Sequence, residues 1–194
     1  MKTNFKKAFC SFLVVIMCLT AAPIQGFVDL DRAWFDFNIK ANAATVDGYY
    51  TYEVNAGEVT ITDVDTSISD DVTIPSTLGG YPVTDIGDAA FYVCTGLSSI
   101  TIPDSVTSIG DEAFNYCTAL TSIIVDENNS NYSSDANGVL FNKNRTTLIQ
   151  YPAGSNKTAY TIPDSVTSIG SDAFANCSVL TSVTIPDSVT SIGY

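Results

Sequence analysis

Ten residues, TIPDSVTSIG, occur three times without a change, at 101–110, 161–170 and 184–193. A segment copied this closely is a stacking unit, and a stacked array buries its apolar face only against its own neighbours. The spacing holds outside the copies as well. One and the same interval separates Pro163 from Pro186, Gly87 from Gly110, Phe91 from Phe114, and Cys94 from Cys117.

The unit at 97–119 shows what each position does. Leu97, Ile100 and Ile102 are apolar, with Ser99 and Thr101 between the last three. Alternation with period two predicts a short strand with its isoleucines inward. Pro103 stops it, because proline has no N–H to give to a ladder. Val106 and Ile109 frame a second short strand, and Gly110 turns the chain. Asp111 is placed to cap one or two helical turns from Glu112 to about Tyr116. Ala113, Phe114 and Cys117 would then face inward. Stacking the units predicts an aromatic column of Phe91, Phe114 and Phe174.

The pattern L-x-x-I-x-I-P-x-x-V-x-x-I-G-x-x-A-F-x-x-C resembles the BspA-like leucine-rich repeat family, a set of bacterial surface antigens. It is carried by residues 97–117 and 180–193, and by 72–94 with more departures. The interval from Gly87 to Gly110 fits, since leucine-rich repeats run to about 20–29 residues. The resemblance implies a mainly β, curved solenoid with a parallel sheet on its concave face and short helical turns. Residues 72–194 would form the repeats. Residues 44–71 would form an N-terminal β cap, a hairpin around Asn55-Ala56-Gly57 that covers the first coil.

Two units break the period. The interval from Pro75 to Pro103 is longer than the others, and the extra residues sit in the turn-rich segment around Gly79-Gly80. The irregular segment at 126–160 is longer still and lacks the G-x-x-A-F-x-x-C half. Two apolar runs flank Asn142-Lys143-Asn144-Arg145 there, which predicts a β-hairpin. It is either a variant coil that keeps the stack continuous or a protruding hairpin that makes contacts. Lys143, Arg145 and Lys157 are the 3 basic residues beyond residue 43, and all lie in this segment.

Residues 1–43 read as an export leader. Lys2, Lys6 and Lys7 precede a mostly apolar run at 8–22, too short for a comfortable membrane span. Cleavage is expected near Ala43, with a site after Gly26 as the alternative. The chain stops at Tyr194, just after the second strand of a unit. That stop motivates the reading of a segment from a larger exported protein.

Beyond residue 43 the chain has 3 basic and 18 acidic residues, a net charge of −15. Phosphate contacts need clustered Lys and Arg, so nucleic acid is not an expected partner, nor is an anionic membrane surface. Cys94, Cys117 and Cys177 share one repeat position and read as buried packing. With no histidine, the chain has no His-based triad and lacks the commonest zinc ligand. Asp104, Asp164 and Asp187 are copies at one turn, which points to scaffold rather than to a carboxylate pair. The acidic stretch at 126–135 lacks EF-hand spacing, and no metal or cofactor is expected.

The expected function is therefore a secreted or cell-surface binding module, not an enzyme. The family resemblance implies adhesion to host or neighbouring-cell proteins or glycans. The strand positions that face outward are Ser99, Thr101, Ser122, Ile124, Ser182 and Thr184. With Lys143 and Arg145 they are the candidate ligand-facing residues. A non-catalytic spacer or targeting segment is the alternative, and an extracellular hydrolase a third.

Overall fold

The structure, a computed structural model, describes residues 44–194. The leader expected over residues 1–43 lies outside them. Strands β1 (Thr45–Asp47), β2 (Tyr50–Asn55) and β3 (Glu58–Val64) run antiparallel to one another in sequence order. Ala56 and Gly57 turn the chain between β2 and β3, both with positive φ. Alternation buries Val59 and Ile61 completely. Next come β4 (Ser69–Thr73), β5 (Thr77–Leu78) and β6 (Tyr81–Ile86). The extra residues of this unit form a tight β5–β6 hairpin over Gly79 and Gly80, at φ of 58° and 85°.

The regular coil follows as β7 (Gly96–Ile102), β8 (Ser108–Ile109) and β9 (Ser122–Val125). Each coil contributes one strand to each of two parallel ladders. One ladder is β4-β7-β9 and the other β3-β6-β8. Leu97, Ile100, Ile102 and Val106 are fully buried between them. Gly110 is needed for close approach, since a Cβ there would lie 2.7 Å from the carbonyl carbon of Gly87.

The expected helix from Glu112 to Tyr116 is instead a run of turns. Glu112 and Tyr116 have φ of 56° and 60°, and Ala89 and Val93 repeat those values at 53° and 63°. A left-handed residue at each position breaks an α-helix. The hydrogen bonds explain the choice. Ala89, Phe91 and Val93 donate their N–H groups to the carbonyls of Asp111, Ala113 and Asn115 in the next coil, at 2.9, 2.8 and 3.1 Å. Backbone groups committed to a neighbouring coil cannot also close helical turns. The capping role shifts for the same reason: the Asp88 carboxylate accepts the Asp111 N–H at 3.0 Å, one coil away.

The remaining strands are β10 (Tyr132–Ser134), β11 (Leu140–Asn142), β12 (Thr147–Gln150), β13 (Ala159–Thr161), β14 (Ser168–Ile169), β15 (Ser182–Thr184) and β16 (Ser191–Ile192). The irregular segment supplies an antiparallel meander, β10-β11-β12, whose last strand continues into the parallel ladder β12-β14-β16. Strands β13 and β15 pair in parallel as a separate two-stranded sheet. Leu140, Phe141 and Leu148 are fully buried, so the hairpin is a wide coil within the stack rather than a protrusion.

Period is kept into the start of this coil by one polar side chain. Asn129 stands one period after Val106 and is itself fully buried. Its Nδ2 donates to the carbonyls of Pro103 and Val106 at 2.8 and 2.9 Å. Its Oδ1 accepts the N–H groups of Asn131 and Tyr132 at 2.9 and 2.8 Å. An amide has two donor hydrogens and two acceptor sites, and all four are used.

The core divides at the wide coil. One buried cluster runs from Tyr52 to Leu140 and the second from Val139 to Ala173. The single aromatic column expected from Phe91, Phe114 and Phe174 is accordingly in two pieces. Phe91 and Phe114 meet at 5.5 Å, while Phe174 stacks on Tyr151 at 5.4 Å. Tyr151 fills a phenylalanine position in a coil that lacks the A-F pair.

Candidate functional site

The outward positions of the strands line up across coils. On β4, β7 and β9, one row is Asp71, Ser99 and Ser122, and the next is Thr73, Thr101 and Ile124. Their neighbours Ile100 and Ile123 point inward and are fully buried, so the pleat places the rows on the opposite face. Ile124 is 46% exposed among hydroxyl-bearing neighbours. The structure thus brings Ser99, Thr101, Ser122 and Ile124 together on one sheet. Ser182 and Thr184 sit on β15, opposite Ala159 and Thr161 of β13, on a different sheet.

A polar cleft of about 340 Å³ borders this face. Its walls include Thr121, Ser122, Asn137, Ser155, Asn156 and Lys157. The chain reaches it through Gly138, at φ of 73°, where a Cβ would lie 2.6 Å from the Cα of Ser122. The Gly138 carbonyl accepts the Ile123 N–H at 3.0 Å, which fixes the wide coil against β9. The Lys157 ammonium donates to Asn137 Oδ1 inside the cleft. Asp135 anchors the same turn: its Oδ1 accepts the N–H groups of Asn137 and Val139, each at 2.9 Å. The Tyr160 hydroxyl donates to Asp135 Oδ2 at 2.9 Å, and burial followed by that carboxylate's charge pushes the phenol well above its ordinary range.

Lys143 and Arg145 lie in the β11–β12 turn, apart from the outward rows. The Lys143 ammonium donates to the carbonyls of Asn129 and Glu127, the latter at 3.2 Å. The Arg145 guanidinium donates to the Ser134 carbonyl at 2.7 Å and lies 5.8 Å from the Phe141 ring centroid. Both cations hold the wide coil together while remaining exposed.

One exposed feature escaped the sequence reading. Tyr92 and Tyr116, 41% and 45% exposed, meet edge to face at 5.3 Å on the turn side of the coils. They occupy neighbouring offsets in Phe91-Tyr92-Val93-Cys94 and Phe114-Asn115-Tyr116-Cys117, so the repeat register does not align them. The signal was two large aromatics in segments whose inward positions were already filled.

The cysteines are core. Cys94 and Cys117 are fully buried, and the Cys117 thiol donates to the Phe91 carbonyl at 3.0 Å. Both are free thiols, and hydrogen bonding to the Cys94 side chain, followed by burial, pushes the Cys117 thiol far above the range of a nucleophile. Among the described residues no group of three or more His, Cys, Asp or Glu side chains is placed to share a metal ion. Nor is any helix among them long and apolar enough to cross a membrane.

Parallel ladders, a repeat length shared by the regular coils and a leucine- and isoleucine-lined interior define a leucine-rich repeat solenoid. The model of the BspA type leucine rich repeat region matches residues 62–160 and 151–194, in six copies. The chain belongs to the BspA-type leucine-rich repeat family. A search of curated proteins returns no match. Among solved structures, the chain is similar to a leucine rich cell surface protein from Faecalibacterium prausnitzii at 31% identity and a TM-score of 0.48, over 77% of this chain and 44% of that one. The Leucine Rich Repeat protein of T. pallidum aligns at 26% identity and a TM-score of 0.49, over 77% and 64%. A leucine-rich repeat protein from Eubacterium ventriosum aligns at 23% and 0.39, over 77% and 61%. The chain spans less than two thirds of each of these proteins.

Proposed function

We propose that the chain is an exported bacterial binding module, with the outward rows of β7 and β9 and the bordering polar cleft as its ligand face. The observation that supports this most is the registered row of Thr73, Thr101 and Ile124 beside that of Asp71, Ser99 and Ser122. A regular, shallow, hydroxyl-rich face with one exposed aliphatic offers a long surface for an extracellular protein or glycan. Its small side chains lack the Trp, Tyr and Arg anchors of tight interfaces, so weak or multivalent adhesion fits it better than one strong site. Ser182 and Thr184 would extend the face across the wide coil. Lys143 and Arg145 would contribute only by exchanging their carbonyl partners for a ligand. A net charge of −15 over the described part of the chain favours basic or neutral ligands over anionic ones.

Residues 1–43 would be the export leader and 44–71 the cap of the repeat array at 72–194. N-terminal sequencing of protein recovered outside the cell tests the first point. Saturable binding of the exported protein to immobilised matrix proteins or cell-surface glycans, weakened by Ile124→Asp, is the expected result for the ligand face. Lack of saturable binding to either class would sink the adhesion reading and leave that of a spacer or targeting segment. Turnover of glycans or peptides in the same samples would reopen the hydrolase reading.

A further inference from the structure

On one side of the stack the wide coil is three strands across, β10, β11 and β12. On the turn side a single crossing after Gln150 does the same work. The turns at 110–117 and 170–177 close on each other at one point, where Asn176 Nδ2 donates to Asn115 Oδ1 at 3.0 Å. Short of that bridge a notch of about 230 Å³ remains, with Asp111, Glu112 and Phe114 on one wall, Gly170 and Ser171 on another, and Gln150 beside them. This volume is below the usual range of about 300–1,000 Å³ for pockets that enclose a drug-sized ligand. It suits a short length of main chain.

The hydrogen-bond pattern says what the notch lacks. In the preceding coil Ala89, Phe91 and Val93 all donate across to carbonyls of the next turn. Glu112, Phe114 and Tyr116 are the same positions one coil on. The Tyr116 N–H goes to Asn115 Oδ1 at 2.9 Å. From the wide coil, the Tyr151 N–H and Gln150 Nε2 donate to the Ala173 carbonyl, at 2.7 and 3.5 Å, and Gln150 Nε2 also to the Tyr151 carbonyl. None of these groups serves the N–H of Glu112 or of Phe114, which find no acceptor among the described residues. Two donors two residues apart on one edge match carbonyls i and i+2 of an extended chain. Both carboxylates at this wall, Asp111 and Glu112, belong to exposed residues. Glu112 Oε2 has only a long 3.5 Å contact from Asn115 Nδ2.

We propose that this notch is a docking site for an extended peptide segment bearing a lysine or arginine. Two of its carbonyls accept from Glu112 and Phe114, and its cation meets the Asp111 and Glu112 carboxylates. The site is separate from the outward rows of β7 and β9, so each reading can fail without the other. The test is an amide-resolved NMR titration of the full chain with acetyl-Ala-Lys-Ala-amide and, in parallel, acetyl-Ala-Glu-Ala-amide. Saturable shifts at the Glu112 and Phe114 amides are expected, with the lysine peptide favoured roughly two- to fivefold, the range for an exposed charge pair. In Glu112→Gln that preference should shrink while main-chain binding persists. Shifts confined to β7 and β9, equal binding of the two peptides, or a notch that holds only water and gives no shift would each overturn the proposal.

Discussion

Asn115 and Asn176 are 61 residues apart and share a side-chain hydrogen bond of 3.0 Å. Side-chain bonds between regular coils join residues about one period apart, such as Thr121 to Ser98 and Thr181 to Thr158, each 23 residues away. The asparagine pair instead skips the wide coil and ties the turns on either side of it. Asn115 is also the more deeply committed partner, since its Oδ1 accepts the Tyr116 N–H as well and it is 6% exposed.

Truncating the two asparagines should therefore differ in cost. Asn176→Ala removes one exposed partner and should lose about 1 kcal/mol, whereas Asn115→Ala strands a backbone donor and should lose about 1–3 kcal/mol. A double-mutant cycle by urea denaturation should return a coupling of about 0.5–1.5 kcal/mol. Strict additivity would mean that the bridge does not form in solution.

Asn129 makes a sharper test, because its repeat equivalents are Val106 and Val166. By repeat logic Asn129→Val restores the consensus and should stabilise. By the hydrogen-bond inventory it strands two carbonyls and two N–H groups in a fully buried site. We expect a loss of about 2–4 kcal/mol, taking the net worth of several buried bonds. A urea midpoint at or above that of the parent would decide for the consensus.

The divided core predicts independence. Phe114→Ala and Tyr151→Ala should each lose about 3–5 kcal/mol, the usual range for an emptied aromatic core site. Phe114 belongs to the first cluster and Tyr151 to the second, so their costs should add to within about 0.5 kcal/mol. Phe91 and Phe114, in contact at 5.5 Å, should not add. Equal coupling in both pairs would indicate one continuous core.

Stability should be insensitive to pH between about 6 and 8, since the chain has no histidine to titrate there. Above that range it should fall. Burial pushes Tyr50, Tyr132 and Tyr160 above the ordinary phenol value and Cys177 up to about 11. A group that holds its proton more tightly when folded contributes fully below its unfolded pKa and loses that contribution as pH rises past it. The loss should begin near pH 9 with Cys177 and grow beyond about pH 10 with the tyrosines. Urea melts at pH 7, 9 and 11 read it directly, and an unchanged midpoint at pH 11 would contradict it.

Much of this was legible in the chain, for a physical reason. Where each unit repeats its neighbour, an inward residue meets its own copy, so period and hydropathy alone place Leu97, Ile100, Ile102 and Val106 in the core. The same holds for the outward rows, since Ser99 and Ser122 are one period apart. What local sequence could not reveal is where the backbone bonds go. Glu112 to Tyr116 has the composition of a short helix, but the donors to its Ala113 and Asn115 carbonyls lie one coil away. Nor could it foresee that Tyr151 would take over a phenylalanine position, or that Lys157 would reach the cleft beside Ser122. Each of these depends on the path of the wide coil, where no copy constrains the chain.

Val139 and Leu140 are consecutive and fully buried, yet they belong to different cores. One peptide bond is thus clamped from both sides, and the array has a seam where interior contact changes owner. In a linear array, rupture under tension follows the weakest junction between neighbours. Stretched between its ends in a single-molecule pulling experiment, this array should lengthen in two bursts with a pause at that dipeptide. It would behave as two springs in series.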